Sequence, residues 1–73
     1  MIYFDGIHLI GSDSLELHKF AKKCGDPKSA FHDSRYPHYD LFEQPAKHAV
    51  EYGAIIVSTK TILRMLKSGD LNV

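Results

Sequence analysis

Two histidines and one aspartate lie close together near the middle of the chain, at His32, His38 and Asp40. In an extended segment, His38 and Asp40 would project from the same face, because alternate side chains of a strand share a face. Imidazole nitrogen together with carboxylate oxygen suits zinc, manganese or iron better than magnesium. We therefore predict a metal site whose candidate ligands are His18, His32, His38 and Asp40, with His8 as another source of a third ligand. With an open coordination position, the metal could activate water against a phosphodiester, as in a phosphoesterase or nuclease.

The same segment contains residues suited to an anionic ligand. Arg35 supplies charge-assisted donors for phosphate, and Tyr36 supplies a flat face for a base. The start of the last predicted helix could hold a phosphate through its backbone amides. The candidate ligand-binding residues are His32, Arg35, Tyr36, His38, Tyr39, Ser58, Lys60 and Arg64. A nucleotide-like phosphate ligand is the first hypothesis, and metal-dependent hydrolysis and a protein-interaction module are the alternatives. The sequence leaves open whether the protein is an enzyme.

Length and composition limit the class of protein. A chain of 73 residues is near the lower limit for one independent core, so we expect a single domain over residues 1–73, helped by a metal or by a homo-oligomer. The formal net charge of zero argues against wrapping nucleic acid or adhering to a membrane, and the absence of a helix-turn-helix pattern argues against sequence-specific DNA binding. Cys24 is the only cysteine, which indicates a reducing, cytoplasmic setting. No signal peptide or membrane-spanning stretch is visible.

The positions of the polar candidates depend on the secondary structure. Residues 1–4 and 7–10 predict one bulged strand or two. A helix over 14–24 is predicted by a capping box at Asp13 and Glu16, and its buried face would comprise Leu17, Phe20, Ala21 and Cys24. Cys24 on that face would be a small hydrophobic residue and not a nucleophile. Residues 26–37 show no periodicity and predict an ordered functional loop.

The second half of the chain predicts two helices and a buried strand. Residues 39–42 are a strand candidate. A helix over 45–52 would turn Ala46, Ala49 and Val50 inward, and one over 59–68 would turn Ile62, Leu63 and Leu66 inward. The apolar run over 54–57 predicts an interior strand with both Ile55 and Ile56 buried. Residues 70–73 predict a frayed tail.

Strands that alternate with helices predict an α/β fold: a small layered sheet of three or four short strands, at least partly parallel, with three helices. Ligands of such sheets bind beyond the carboxyl ends of the strands. That edge would hold Asp5, His8 or Gly11 after the first strand, and Ser58, Thr59 and Lys60 after the last. We also expect His18, His32, His38 and Asp40 to converge, because polar groups that are costly to bury singly can satisfy one another.

Several segments together resemble a known family. The segments are residues 1–5, 8–10 and 16–21 with Gly25, then Phe31-His32, His38-Tyr39-Asp40, Ala49, Gly53-Ala54 and Val57-Ser58. In these segments and in the distances between them along the sequence, the chain resembles the small bacterial and phage proteins of domain-of-unknown-function family 4031, over roughly residues 1–68. The resemblance implies no established activity, so function must be argued from the site.

Overall fold

The computed structural model describes residues 1–25, 31–32 and 37–68. In this part of the chain there are three helices and five strands. The strands are β1 (Ile2–Phe4), β2 (His8–Gly11), β3 (Phe31–His32), β4 (His38–Asp40) and β5 (Ile55–Ile56), and the helices are α1 (Ser14–Lys23), α2 (Glu43–Glu51) and α3 (Thr59–Ser68).

All five strands belong to one mixed sheet in the order β3-β4-β2-β1-β5. β1 and β5 are parallel, and the other neighbours are antiparallel. The α/β class and the partly parallel sheet are therefore confirmed, with five strands instead of three or four. The N-terminal run contributes two strands because it forms a hairpin, and Phe31–His32 contributes a strand that the sequence did not predict. The latter corrects the prediction of irregular chain over 26–37, since a two-residue strand is too short to show a periodicity.

The β1–β2 hairpin turns at Asp5 and Gly6. Asp5 Oδ1 accepts hydrogen bonds from the backbone amides of Ile7 (2.9 Å) and His8 (2.7 Å). Gly6 has a φ of +106°, a conformation that residues with a Cβ rarely adopt. These local interactions set the register in which Phe4 faces Leu9 and Tyr3 faces Ile10.

One face of the sheet packs against α1 and α2. The Asp13 side chain caps α1 by accepting from the amide of Glu16, as predicted. The predicted face of α1 is confirmed, because Leu17, Ala21 and Cys24 are buried and Phe20 is packed against them. They form a core with residues from the sheet, α2 and the connecting segments: Ile2, Phe4, Leu9, Tyr39, Leu41, Ala49 and Ala54.

The other face of the sheet packs against α3. Ile10 and Ile62 are almost fully buried, but they lie outside the core on the α1 side, and Thr59 at the start of α3 contacts Asp5. The three predicted helices are present, but the predicted inward faces of α2 and α3 hold only in part. Val50 in α2 is 55% exposed and Leu63 in α3 is 50% exposed, so these two predicted core residues are not covered by the rest of the fold.

The prediction of an interior strand over 54–57 is wrong. β5 comprises only Ile55–Ile56 and, among the strands of the described residues, lies at an edge of the sheet with β1 as its one neighbour. Ile56 is 59% exposed and Ile55 is 38% exposed. A continuous apolar run is typical of a strand buried on both faces, but the run does not determine how many neighbours the strand has.

No helix in the described residues is long and apolar enough to cross a bilayer.

Candidate functional site

The candidate metal ligands His32, His38 and Asp40 meet on the α3 face of the sheet. In the antiparallel pairing of β3 with β4, His32 lies opposite His38, and their rings stack with centroids 4.9 Å apart. Asp40 follows on the same face of β4. His32 Nε2 lies 2.9 Å from Asp40 Oδ2, and His38 Nε2 lies 3.5 Å from Asp40 Oδ1. The carboxylate therefore lies between two imidazole groups.

These three side chains have the geometry of a possible metal centre. One ligand atom from each lies within 4.8 Å of the other two, so one ion could contact all three. Asp40 Oδ1 is buried and has no hydrogen-bond partner among the described residues, an arrangement that is costly for a carboxylate oxygen unless a ligand satisfies it. His32 is exposed and the other two are half-buried, so the cluster can be reached from solvent.

His18 does not join this cluster. Its Nδ1 forms a 2.6 Å hydrogen bond with the hydroxyl of Tyr39, and its ring packs edge-on against Phe31. Tyr39 projects from β4 on the side opposite to His38 and Asp40, and it is buried in the core beneath α1. The structure therefore places both His18 and Tyr39 on the other face of the sheet, away from the site for which the sequence had proposed them.

Next to the cluster, Asp5 holds His8 in a fixed orientation. Asp5 Oδ2 accepts hydrogen bonds from His8 Nδ1 (2.8 Å) and from the hydroxyl of Thr59 (2.6 Å). The Asp5 side chain is 1% exposed. Burial opposes its ionisation, but the hydrogen bonds from Thr59, from the His8 ring and from two backbone amides outweigh burial and lower the pKa of Asp5 to about 2. Asp5 is therefore a carboxylate at neutral pH.

The Asp5–Thr59 contact joins the carboxyl ends of the two parallel strands, β1 and β5. The sequence predicted that both segments lie at this edge, but it did not predict the pairing of Asp5 with His8. A signal existed: a strand that ends in Asp and resumes at His three residues later can form a turn in which the two side chains meet.

His8 and His38 line a pocket beneath α3. Their rings meet edge-on with centroids 5.8 Å apart. The pocket has a volume of about 210 Å³ and its remaining lining comes from α3: Thr59, Ile62, Leu63, Leu66 and Lys67. The periodicity of α3 predicts only that its apolar side chains face inward; it does not distinguish a core contact from the lining of a pocket, so the sequence does not predict this pocket.

The remaining predicted phosphate-binding residues belong to the segment before β4 and to α3 with its N-terminal cap. Arg35 and Tyr36 lie outside the described residues, as do most of the predicted loop over 26–37 and the tail over 70–73. Ser58 Oγ accepts a hydrogen bond of 3.1 Å from the backbone amide of Thr61 and so caps α3. Lys60 and Arg64 are exposed on that helix. Among the described residues, those brought together are thus His32, His38 and Asp40, with the ring of His8 next to that of His38.

The chain was compared with known proteins. No curated protein and no solved structure matches it. A family model described as "Protein of unknown function (DUF4031)" matches residues 6–69. That range begins within the β1–β2 turn, at Gly6, and includes the histidine cluster and α3. The chain therefore belongs to domain-of-unknown-function family 4031.

Proposed function

We propose that this protein binds one divalent transition-metal ion, zinc or manganese, through His32, His38 and Asp40, and uses it to hydrolyse a small phosphate ester. The observation that carries the proposal is the convergence of three ligand atoms within 4.8 Å of one another around a carboxylate. Two imidazoles and one carboxylate are a ligand set common to hydrolytic zinc sites and to other transition-metal centres.

The chemistry follows from the number of protein ligands. With His32, His38 and Asp40 as its protein ligands, a bound ion would keep at least one coordination position open for water. The chemistry it would supply is a lower pKa for that water and neutralisation of charge on a phosphate oxygen. The nucleotide-like ligand predicted from the sequence would be a phosphate ester of this kind. We also propose that the protein is cytoplasmic and forms a homo-oligomer.

Metal titration by calorimetry tests the proposal. The wild type should bind one zinc or manganese ion per chain, and His38→Ala should weaken binding by about a hundredfold or more, since even residues that only support metal ligands contribute 10- to 100-fold. His18→Ala is the matched control and should bind metal like the wild type. The metal-loaded wild type should hydrolyse p-nitrophenyl phosphate. Metal binding that is unchanged in His38→Ala, or lost equally in His18→Ala, would refute the site.

A protein-interaction module is a second candidate, favoured by the exposed edge of the sheet. In the described part of the chain, β5 is paired on one side only, and its Ile55 and Ile56 are exposed. Such edges can pair with another chain. Light scattering after size exclusion would support this function, and also the predicted homo-oligomer, if Ile56→Lys converted a dimer to a monomer. A monomeric wild type would exclude self-association through β5.

A further inference from the structure

We infer that the pocket beneath α3 binds the apolar part of the metal-bound ligand, and that the ligand is an anion carrying one ring-sized group directly beside its anionic centre, as in an aryl phosphate. This inference rests on the proposed function, because it assumes that the anion is held at the His32, His38 and Asp40 cluster. The ligand class is then no longer phosphate esters in general but anions with a ring directly beside the anionic centre.

The pocket and the cluster share a residue. His38 contributes Nε2 to the cluster, 3.5 Å from Asp40 Oδ1, and its ring lines the pocket. A ligand whose anionic end reaches the cluster therefore has its next few atoms against the His38 ring. A long spacer between anion and apolar group would carry that group past the pocket.

The lining determines which chemical group fits. Ile62, Leu63 and Leu66 on α3 supply apolar lining, and His8 and His38 supply the lining on the side of the sheet. Leu63 is 50% exposed, so a ligand in contact with it would remove apolar surface from water, which favours binding. Lys67 also lines the pocket and adds a positive charge that suits an anionic ligand.

The volume sets the size of that group. A cavity of roughly 150 Å³ accommodates benzene, and sites for drug-sized ligands begin at roughly 300 Å³. At about 210 Å³, this pocket fits one ring system and is too small for a base together with its sugar.

The wall on the sheet side is already in place. His8 Nδ1 donates to Asp5 Oδ2, and the hydroxyl of Thr59 donates to the same oxygen. The turn at Asp5 needs only Oδ1, which accepts the two backbone amides. The additional contacts of Oδ2 fix the His8 ring and tie the first residue of α3 to the sheet, and so hold the two walls of the pocket at a set separation.

Calorimetry on the manganese-loaded protein with three probes tests the inference: inorganic phosphate, phenyl phosphate and adenosine monophosphate. Phenyl phosphate should bind at least about tenfold more tightly than inorganic phosphate, which corresponds to about 1.4 kcal/mol. Leu63→Gln should abolish that preference and leave the affinity for inorganic phosphate unchanged. Val50→Gln is the matched control, since Val50 is similarly exposed but lies on α2, across the sheet; it should keep the preference.

The outcomes separate this inference from the proposed function. If manganese and inorganic phosphate bind but phenyl phosphate has no advantage, or keeps its advantage in Leu63→Gln, the pocket is not the ligand site and the metal site stands. Adenosine monophosphate binding more tightly than phenyl phosphate would overturn the claim that the ring lies beside the anion. Failure to bind manganese or zinc would refute the proposed function, and the inference with it.

Discussion

His32 Nε2 lies 2.9 Å from Asp40 Oδ2 although the two residues belong to different strands. The contact exists because β3 and β4 pair with His32 opposite His38, which places Asp40 diagonally across the ladder on the same face. A single carboxylate is thus held between two imidazoles at one end of the sheet. The proposed metal site depends on this contact between His32 and Asp40.

Replacing Asp5 by Asn should destabilise the protein by on the order of 2 kcal/mol at pH 7. The pKa of Asp5 is about 2 in the folded state against 3.8 as a reference, and one pKa unit corresponds to roughly 1.4 kcal/mol. Because the folded pKa is the lower one, this stability is complete well above pH 3.8 and is lost as the pH falls towards 2. Urea denaturation between pH 7 and pH 2 would measure it.

Asp13→Asn is the control for that experiment. Asp13 caps α1, and Asn is an equally good N-cap, so its effect should be a few tenths of a kcal/mol. A stability difference between wild type and Asp5→Asn that stays constant from pH 7 to pH 2 would contradict the assignment of this pH dependence to Asp5.

Two isoleucine truncations should have very different effects. Ile62 is 2% exposed beneath α3, and Ile56 is 59% exposed at the edge strand. Ile62→Ala should cost about 2–5 kcal/mol because it leaves a cavity, whereas Ile56→Ala should cost less than about 1 kcal/mol. Thermal or urea denaturation of the two variants would check this. Equal costs would mean that β5 is covered on both faces.

Tyr39→Phe should reduce stability without affecting metal binding. The Tyr39 hydroxyl bonds His18 Nδ1 at 2.6 Å, and the residue is buried on the α1 face. Losing the hydrogen bond should cost about 0.5–1.5 kcal/mol. Tyr3→Phe, at a partly exposed tyrosine, should cost less than about 0.5 kcal/mol. A fall in zinc affinity in Tyr39→Phe would show that the two faces of the sheet are not independent.

The predictable parts of the fold are those fixed by neighbours in sequence. The capping of α1 by Asp13 and its buried Leu17 and Ala21 follow from interactions within a few residues. The placement of His38 and Asp40 on one face follows in the same way from the alternation of a strand. The position of β5 at an edge of the sheet does not follow from local sequence, because it depends on which strands pair across the whole chain.

The same distinction explains the outcome for the site. His32 joins His38 only through the pairing of β3 with β4, a contact that no local pattern determines. The sequence predicts His18 in the same cluster because His18 lies at the border of the apolar stripe of α1, and the local pattern does not show which face of the sheet α1 covers. Tyr39 projects towards α1. Because α1 covers that face of the sheet, His18 lies there with Tyr39 and not with His32, His38 and Asp40.

The most direct test of the metal site is the side-chain ¹⁵N spectrum of the five histidines during a zinc titration. The Nε2 resonances of His32 and His38 should shift together and stop shifting at one equivalent of zinc. His18, bonded to Tyr39, and His48, which donates from Nδ1 to the carbonyl oxygen of Cys24 at 2.9 Å, should not change. If no histidine responds at one equivalent, or if His18 or His48 responds in place of His32 and His38, the proposed metal site is wrong.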